Sequence, residues 1–176
     1  MQPDVEIRLK AMIKAMTEVV LPAVDAGNAA AIEQARLVTA SLAMVAEQID
    51  HLHCYAATEA RALSALASAL AGEWQGGEGL TVEHARDNAL KAAARSDVPT
   101  SVLTGANRDL RGALCAALET CLASEDSARR ARIEAVVLSE SAELLRLERA
   151  FVAKSGFDVA PHELATIGQT LADMRE

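Results

Sequence analysis

The sequence predicts an all-α protein, an antiparallel up-down helical bundle of roughly 5-6 helices with one very long helix over about residues 28–71. Three observations carry that expectation. First, the run from Asn28 to Ala71, bracketed by Gly27 and Gly72, contains neither glycine nor proline. Second, its apolar residues recur in alternating steps of four and three: Val38, Leu42, Val45, Ile49, Leu52, Ala56, then Glu59, then Leu63, Leu66 and Leu70. That is the seam of a helix packed lengthwise against other helices. Third, apolar residues make up 51% of the chain but aromatics only 2%, alanine supplies about a fifth, and no period-two alternation appears. The core must be built from Leu, Val, Ile and close-packed Ala on helices.

At 176 residues the chain is expected to form a single helical-bundle domain, 1-176. Its net charge of −8 and pI near 5.0 repel nucleic acid and anionic lipid, so no nucleic-acid or membrane partner is expected. Cys54, Cys115 and Cys121 are odd in number and lack CxxC spacing, which fits reduced thiols in a cytoplasmic protein. The N-terminus has neither the basic nor the apolar region of a signal peptide. No uncharged apolar stretch approaches the ~18 residues a membrane span needs.

In chain order, Pro3 in a first turn and the seam Val5, Leu9, Met12, Met16 and Val19 predict a first helix to about Leu21, bent or ended by Pro22. Asp25-Ala26-Gly27-Asn28 reads as a short turn with Asn28 as N-cap, making the first two helices antiparallel neighbours. Gly72 to Gly79 holds four of the nine glycines and the lone Trp74, the clearest loop in the chain. Thr81 is the expected N-cap of a helix to about Arg95. Asp97-Val98-Pro99 interrupts it, and a segment from Thr100 or Ser101 follows, lined by Leu103, Leu110, Leu114, Leu118 and Leu122. These two segments are expected to form one long, broken arm. A turn over Ser124–Ser127, with Ser124 or Asp126 as N-cap, precedes a helix with the seam Ile133, Val137, Glu140, Leu144, Leu147 and Phe151. Gly156 should end it, and Pro161 should open a last short helix whose apolar face is Leu164, Ile167 and Leu171.

Length argues for association. A straight helix over 28–71 would be ~66 Å long, whereas a compact domain of this size is roughly 40 Å across. The first helix covers only half of the long one, so Leu63, Leu66 and Leu70 are expected to need a partner's surface, with Trp74 either capping the bundle end or meeting that partner. A homodimer follows from this reading.

The residues that could carry chemistry are few. Glu59 occupies a seam position where a leucine is expected; Tyr55 lies one turn before it and His51 one turn before that. Glu140 occupies a seam position on a later helix. If their registers agreed, Glu59 and Glu140 would share a proton or hold a cation, lining a polar core pocket with Tyr55. The alternative is an ordinary ion pair for Glu59, with Arg61, Arg108 and Arg111 as candidates. No Glu-x-x-His of a di-iron bundle occurs, Asp50-His51-Leu52-His53 falls largely on outer positions, and neither a metal nor another cofactor is expected. Cys54 lies three residues from His51 without an orienting group or oxyanion hole. Cys115 and Cys121 read as small core residues, and no catalytic residue is assigned. Arg129, Arg130 and Arg132 oppose the dipole of the helix they open, so they bind an anion there or are screened by Glu125, Asp126 and Glu134. Two functional expectations stand: an accessory or structural protein acting through helix-helix or protein-protein contact as a homodimer, or a small-ligand or metal-binding bundle, with or without enzymatic activity, built around Tyr55, Glu59 and Glu140.

Overall fold

The computed structural model describes residues 4–74, 77–123, 125–155 and 158–174. These are helical, with no strand among the described residues, as the seam spacing and the scarcity of β-branched runs require. The very long helix is present: Ala29–Ala69 is 41 residues long, with a single 3-10 turn at Ile49–His51. The chain, expected from its length to be one domain, divides into two compact units, residues 1–51 with 149–167, and residues 52–148 with 168–176.

In the first unit, Asp4 caps α1 (Val5–Ala15) by accepting a hydrogen bond from the Glu6 N–H. A π turn, Met16–Val20, follows and leads into the short α2, Leu21–Ala23. Pro22 accounts for the widened turn. It has no N–H to donate and its ring crowds the carbonyl of Glu18, so the helix loosens before it ends. The Asp25 side chain accepts from the Gly27 N–H and the Asn28 side chain from the Ala31 N–H, fixing the short turn into α3 (Ala29–Gln48). α1 packs on α3, yet α1 buries only Leu9 and α3 only Ala35. The seam expected on the long helix is therefore only half used here, since Val38 remains 47% exposed and Val45 41%. Gln48 donates to the Phe151 carbonyl at 2.6 Å, and Arg149 holds Asp158 through two bonds of 2.8 and 3.0 Å.

The second unit contains α4 (Leu52–Ala69), α5 (Glu78–Ala93), α6 (Thr100–Leu122) and most of α7 (Ser127–Val152). α4, α5 and α6 pack pairwise, α5 and α6 most extensively. The single broken arm expected from Thr81 to Ala123 is thus a helical hairpin. Its cause is the stretch from Ala94 to Pro99, long enough to reverse the chain, joined to a stripe of Val82, Ala85 and Ala89 that buries against α4 and α6. Buried alanines on α4, Ala56, Ala57, Ala60 and Ala67, let the backbones approach. Leu70, Leu103 and Leu110 fill what remains, each fully buried and each stabilising by about 2 kcal/mol.

Two boundaries differ from expectation and one agrees with it. α5 begins at Glu78 with Gly77 as N-cap; Thr81 lies inside the helix and its hydroxyl donates back to the Gly77 carbonyl. Glu78 at the first position suits the positive end of the helix, which favours the earlier start. Pro161 opens only a 3-10 turn, Pro161–Glu163, and the last helix, α8, is Ile167–Asp173. Asp126 caps α7 by accepting from the Arg129 N–H at 3.0 Å; Ser124 and Gly156, the other expected boundary residues, lie outside the described residues.

Candidate functional site

Glu59 is buried on α4, 8% exposed, and both of its oxygens are engaged from α6. Asn107 Nδ2 donates to Glu59 Oε2 at 2.8 Å and to the Ala56 carbonyl at 2.8 Å. Arg111 Nη2 donates to Glu59 Oε1 at 2.6 Å and to Glu148 Oε1, on α7, at 3.1 Å. Asn107 and Arg111 are one turn apart, so one face of α6 presents both donors to α4. Of the three arginines available to Glu59, Arg111 takes the place; Arg61 donates instead to Thr58 Oγ1 at 3.4 Å. Glu59 holds Arg111 firmly in its charged form.

Tyr55 lies beside this network. Burial, then the negative charges of Glu59 and Glu148, push its phenol up to about 12, and Arg111 opposes them only in part. It is a neutral hydroxyl over the whole physiological range, unsuited to act as a base.

Glu140 does not join Glu59. The carboxylate that shares Arg111 is Glu148, two turns further along α7, so the register raised from the sequence is displaced by two turns. Glu140 is half-buried, and among the described residues no hydrogen bond or ion pair reaches it. It lines a cavity of about 280 Å³ with Leu63, Leu66, Leu114 and Leu144. A second cavity, of about 230 Å³, lies against Ala62, Ala65, Ser139, Glu140 and Glu143.

Asn107 is the residue sequence reasoning missed. It falls in the seam of α6 between Leu103 and Leu110, the α6 counterpart of Glu59 in α4, and that polar break in a leucine line was the available signal. It is 1% exposed, and its Oδ1 has no hydrogen-bond partner among the described residues.

Leu63, Leu66 and Leu70, expected to face a partner, are covered by the chain's own helices and belong to the core. The hairpin of α5 and α6, read as a single arm, supplies that cover. Trp74 packs against the same core, close enough to Gly79 that a Cβ there would lie 3.2 Å from the Trp74 Cβ; it caps the unit. Arg129 is buried and bonds Glu73 Oε2 at 3.2 Å and the Glu73 carbonyl, while Arg132 reaches Glu73 Oε1 at 3.3 Å. Glu73, within the glycine-rich loop, thus pairs both arginines, and Asp126, one of the carboxylates expected to screen them, adds its negative charge beside Arg129 and Arg132. Cys121 is buried, but Cys115, read as a core residue, is exposed, and Cys54 is intermediate. Among the described residues no group of three or more His, Cys, Asp or Glu side chains is arranged to hold a metal.

Exposed apolar side chains occur in both units, among them Leu80, Val102, Leu138 and Leu145 in the second, and they are most numerous on the helices of the first. Val5, Ile7, Met12, Val19 and Val20 of the first helical segment and Leu37, Val38 and Val45 of α3 are all exposed. Within the 41-residue helix an 18-residue stretch reaches mean hydropathy 1.2 with 6% of it buried, and by length and composition that helix is long and apolar enough to cross a membrane. The sequence criterion of an uninterrupted uncharged stretch did not capture this.

No protein family, curated protein or solved structure matches this chain.

Proposed function

We propose that this protein is a cytoplasmic accessory or structural component that acts through helix-helix association, as a homodimer whose interface is the apolar face of α1 and α3. One observation carries the reading: eight large apolar side chains between Val5 and Val45 are exposed, while α1 and α3 bury one residue each. A chain leaves this many large apolar side chains to water only at a cost, and a second copy would cover them with the same helical surface. Ridges of Leu37, Val38 and Val45 suit lengthwise helix packing. Three free cysteines agree with a reducing compartment.

A bilayer is the other apolar partner such a helix could meet. Glu33 and Arg36 interrupt its N-terminal half, and the chain's net charge of −8 works against an anionic surface, so a second copy is the better fit. Light scattering of the full chain at micromolar concentration, run beside flotation with anionic vesicles, tests this. Twice the chain mass without flotation is expected; a monomer, or recovery with the vesicles, would overturn the proposal.

A further inference from the structure

The cavity beside Glu140 belongs to the second unit and is independent of the proposed dimer. It is framed by α4, α6 and α7, with a floor of Leu63, Leu66, Leu114 and Leu144. Glu140 sits in the apolar line of α7, between Val137 and Leu144, where its neighbours point into the core. Opposite it α4 carries its smallest side chains: Ala62 lines the cavities on both sides of Glu140, and Ala65 lines the second. A leucine at either alanine would close the space. A carboxylate is thus held over an apolar floor, in a gap that the facing helix leaves open, with no cation among the described residues to pair it.

From this juxtaposition we infer that the cavity is a binding site for a small amphiphilic cation, an ammonium carried on a short alkyl chain or a single ring. The charge balance selects the sign. Arg111, the one cationic side chain among the described residues that line the cavity, is already shared between Glu59 and Glu148. Glu140 therefore presents an uncompensated negative charge, with the Ser141 hydroxyl beside it as a further acceptor. An anionic amphiphile would meet Glu140 directly, whereas an ammonium forms a charge-assisted hydrogen bond with it. The volume selects the size, since about 280 Å³ is just below the ~300 Å³ at which drug-sized ligand sites begin. The leucine floor takes the hydrocarbon; the carboxylate fixes which end points outward.

Cys115 lines the same cavity and is exposed, so its alkylation reports on occupancy. The test uses the full chain, n-octylammonium as ligand, octanoate and octanol as isosteres, and mass mapping of iodoacetamide labelling at Cys115 and Cys54. Octylammonium should slow labelling of Cys115 while leaving Cys54 unchanged, and should bind about tenfold more tightly than either isostere. Glu140→Gln should remove that preference. Ala62→Leu, which fills the gap without changing charge, should remove the protection itself. Equal protection by all three compounds, protection undiminished in Glu140→Gln, or no protection of Cys115 at saturating octylammonium would overturn the inference.

Discussion

Asn107 binds two groups on α4 through one nitrogen, donating at 2.8 Å both to the carboxylate of Glu59 and to the main chain of Ala56. A side chain that bridges a buried carboxylate and a helical carbonyl fixes α6 against α4 in register and in rotation.

Replacing Asn107 with leucine removes both bonds and leaves Glu59 with a single donor; a loss of about 2 kcal/mol is expected in urea unfolding. Glu59→Leu should change stability by less than about 1 kcal/mol, because the apolar seam is then continuous and Arg111 keeps Glu148. Arg111→Met should cost about 2 kcal/mol, a value tempered by the 45% exposure of that side chain. The order of the three variants is the diagnostic quantity. Equal losses for Glu59→Leu and Arg111→Met would contradict it.

Tyr55 is the single tyrosine of the chain, so its ionisation can be followed directly by ultraviolet absorbance. Its hydroxyl should titrate near 12 in the folded protein and near the ordinary value of about 10 after unfolding. The native state thus holds this proton more tightly, and its contribution to stability, whole below about pH 10, is lost as pH rises from about 10 to about 12. A native midpoint near 10 would remove the buried, carboxylate-flanked setting given to Tyr55.

Asp158 gives the opposite dependence. The two hydrogen bonds donated by Arg149, with a third from the Ala160 N–H, hold its carboxyl down to about 2. The stabilising contribution is complete above its ordinary range near 3.8 and falls away as pH drops toward 2. Carboxyl carbon shifts in NMR should show Asp158 still ionised at about pH 3, and Asp158→Asn should abolish this part of the acid dependence.

Arg129 and Arg132 both reach Glu73 but differ in setting, with side-chain exposures of 9% and 59%. Arg129→Met should cost about 3 kcal/mol, because it strips the bonds to the Glu73 carboxylate and main chain from a buried position. Arg132→Ala should cost less than about 0.5 kcal/mol. Thermal unfolding separates the two, and similar losses would show that the clamp on Glu73 is not held by Arg129.

Gly112 sits inside α6 with open space where a Cβ would project. Gly112→Ala should therefore stabilise by about 0.7 kcal/mol, raising the melting temperature by roughly 2 °C. A loss instead would mean that this exposed face of α6 is covered.

The long helix, the Asn28 and Asp126 caps and the break at Pro99 were legible because each depends on local chemistry: missing N–H groups, side-chain acceptors and apolar spacing. The reversal of α5 onto α6 was not, since a break after Ala94 permits a straight or a folded-back path and only tertiary burial of Val82, Ala85 and Ala89 decides. Glu59 was visible as a fault in an apolar line, and Arg111 was among its candidate partners. Glu148 in place of Glu140 depends on how far α7 slides along α4, which no residue spacing encodes. Leu63, Leu66 and Leu70 find cover within the chain because α5 folds back beside α6, while Leu37, Val38 and Val45 on α3 stay exposed.

That exposed surface is the centre of the functional proposal, and charges placed on it test it directly. Val38→Glu with Val45→Glu alters two side chains that are 47% and 41% exposed, so the fold of the single chain should survive, as an unchanged circular dichroism spectrum would show. In sedimentation velocity from about 1 to about 100 µM, a range that resolves micromolar association, the unmodified protein should run as a dimer and the double variant as a monomer. Identical sedimentation of the two proteins across that range would contradict the account.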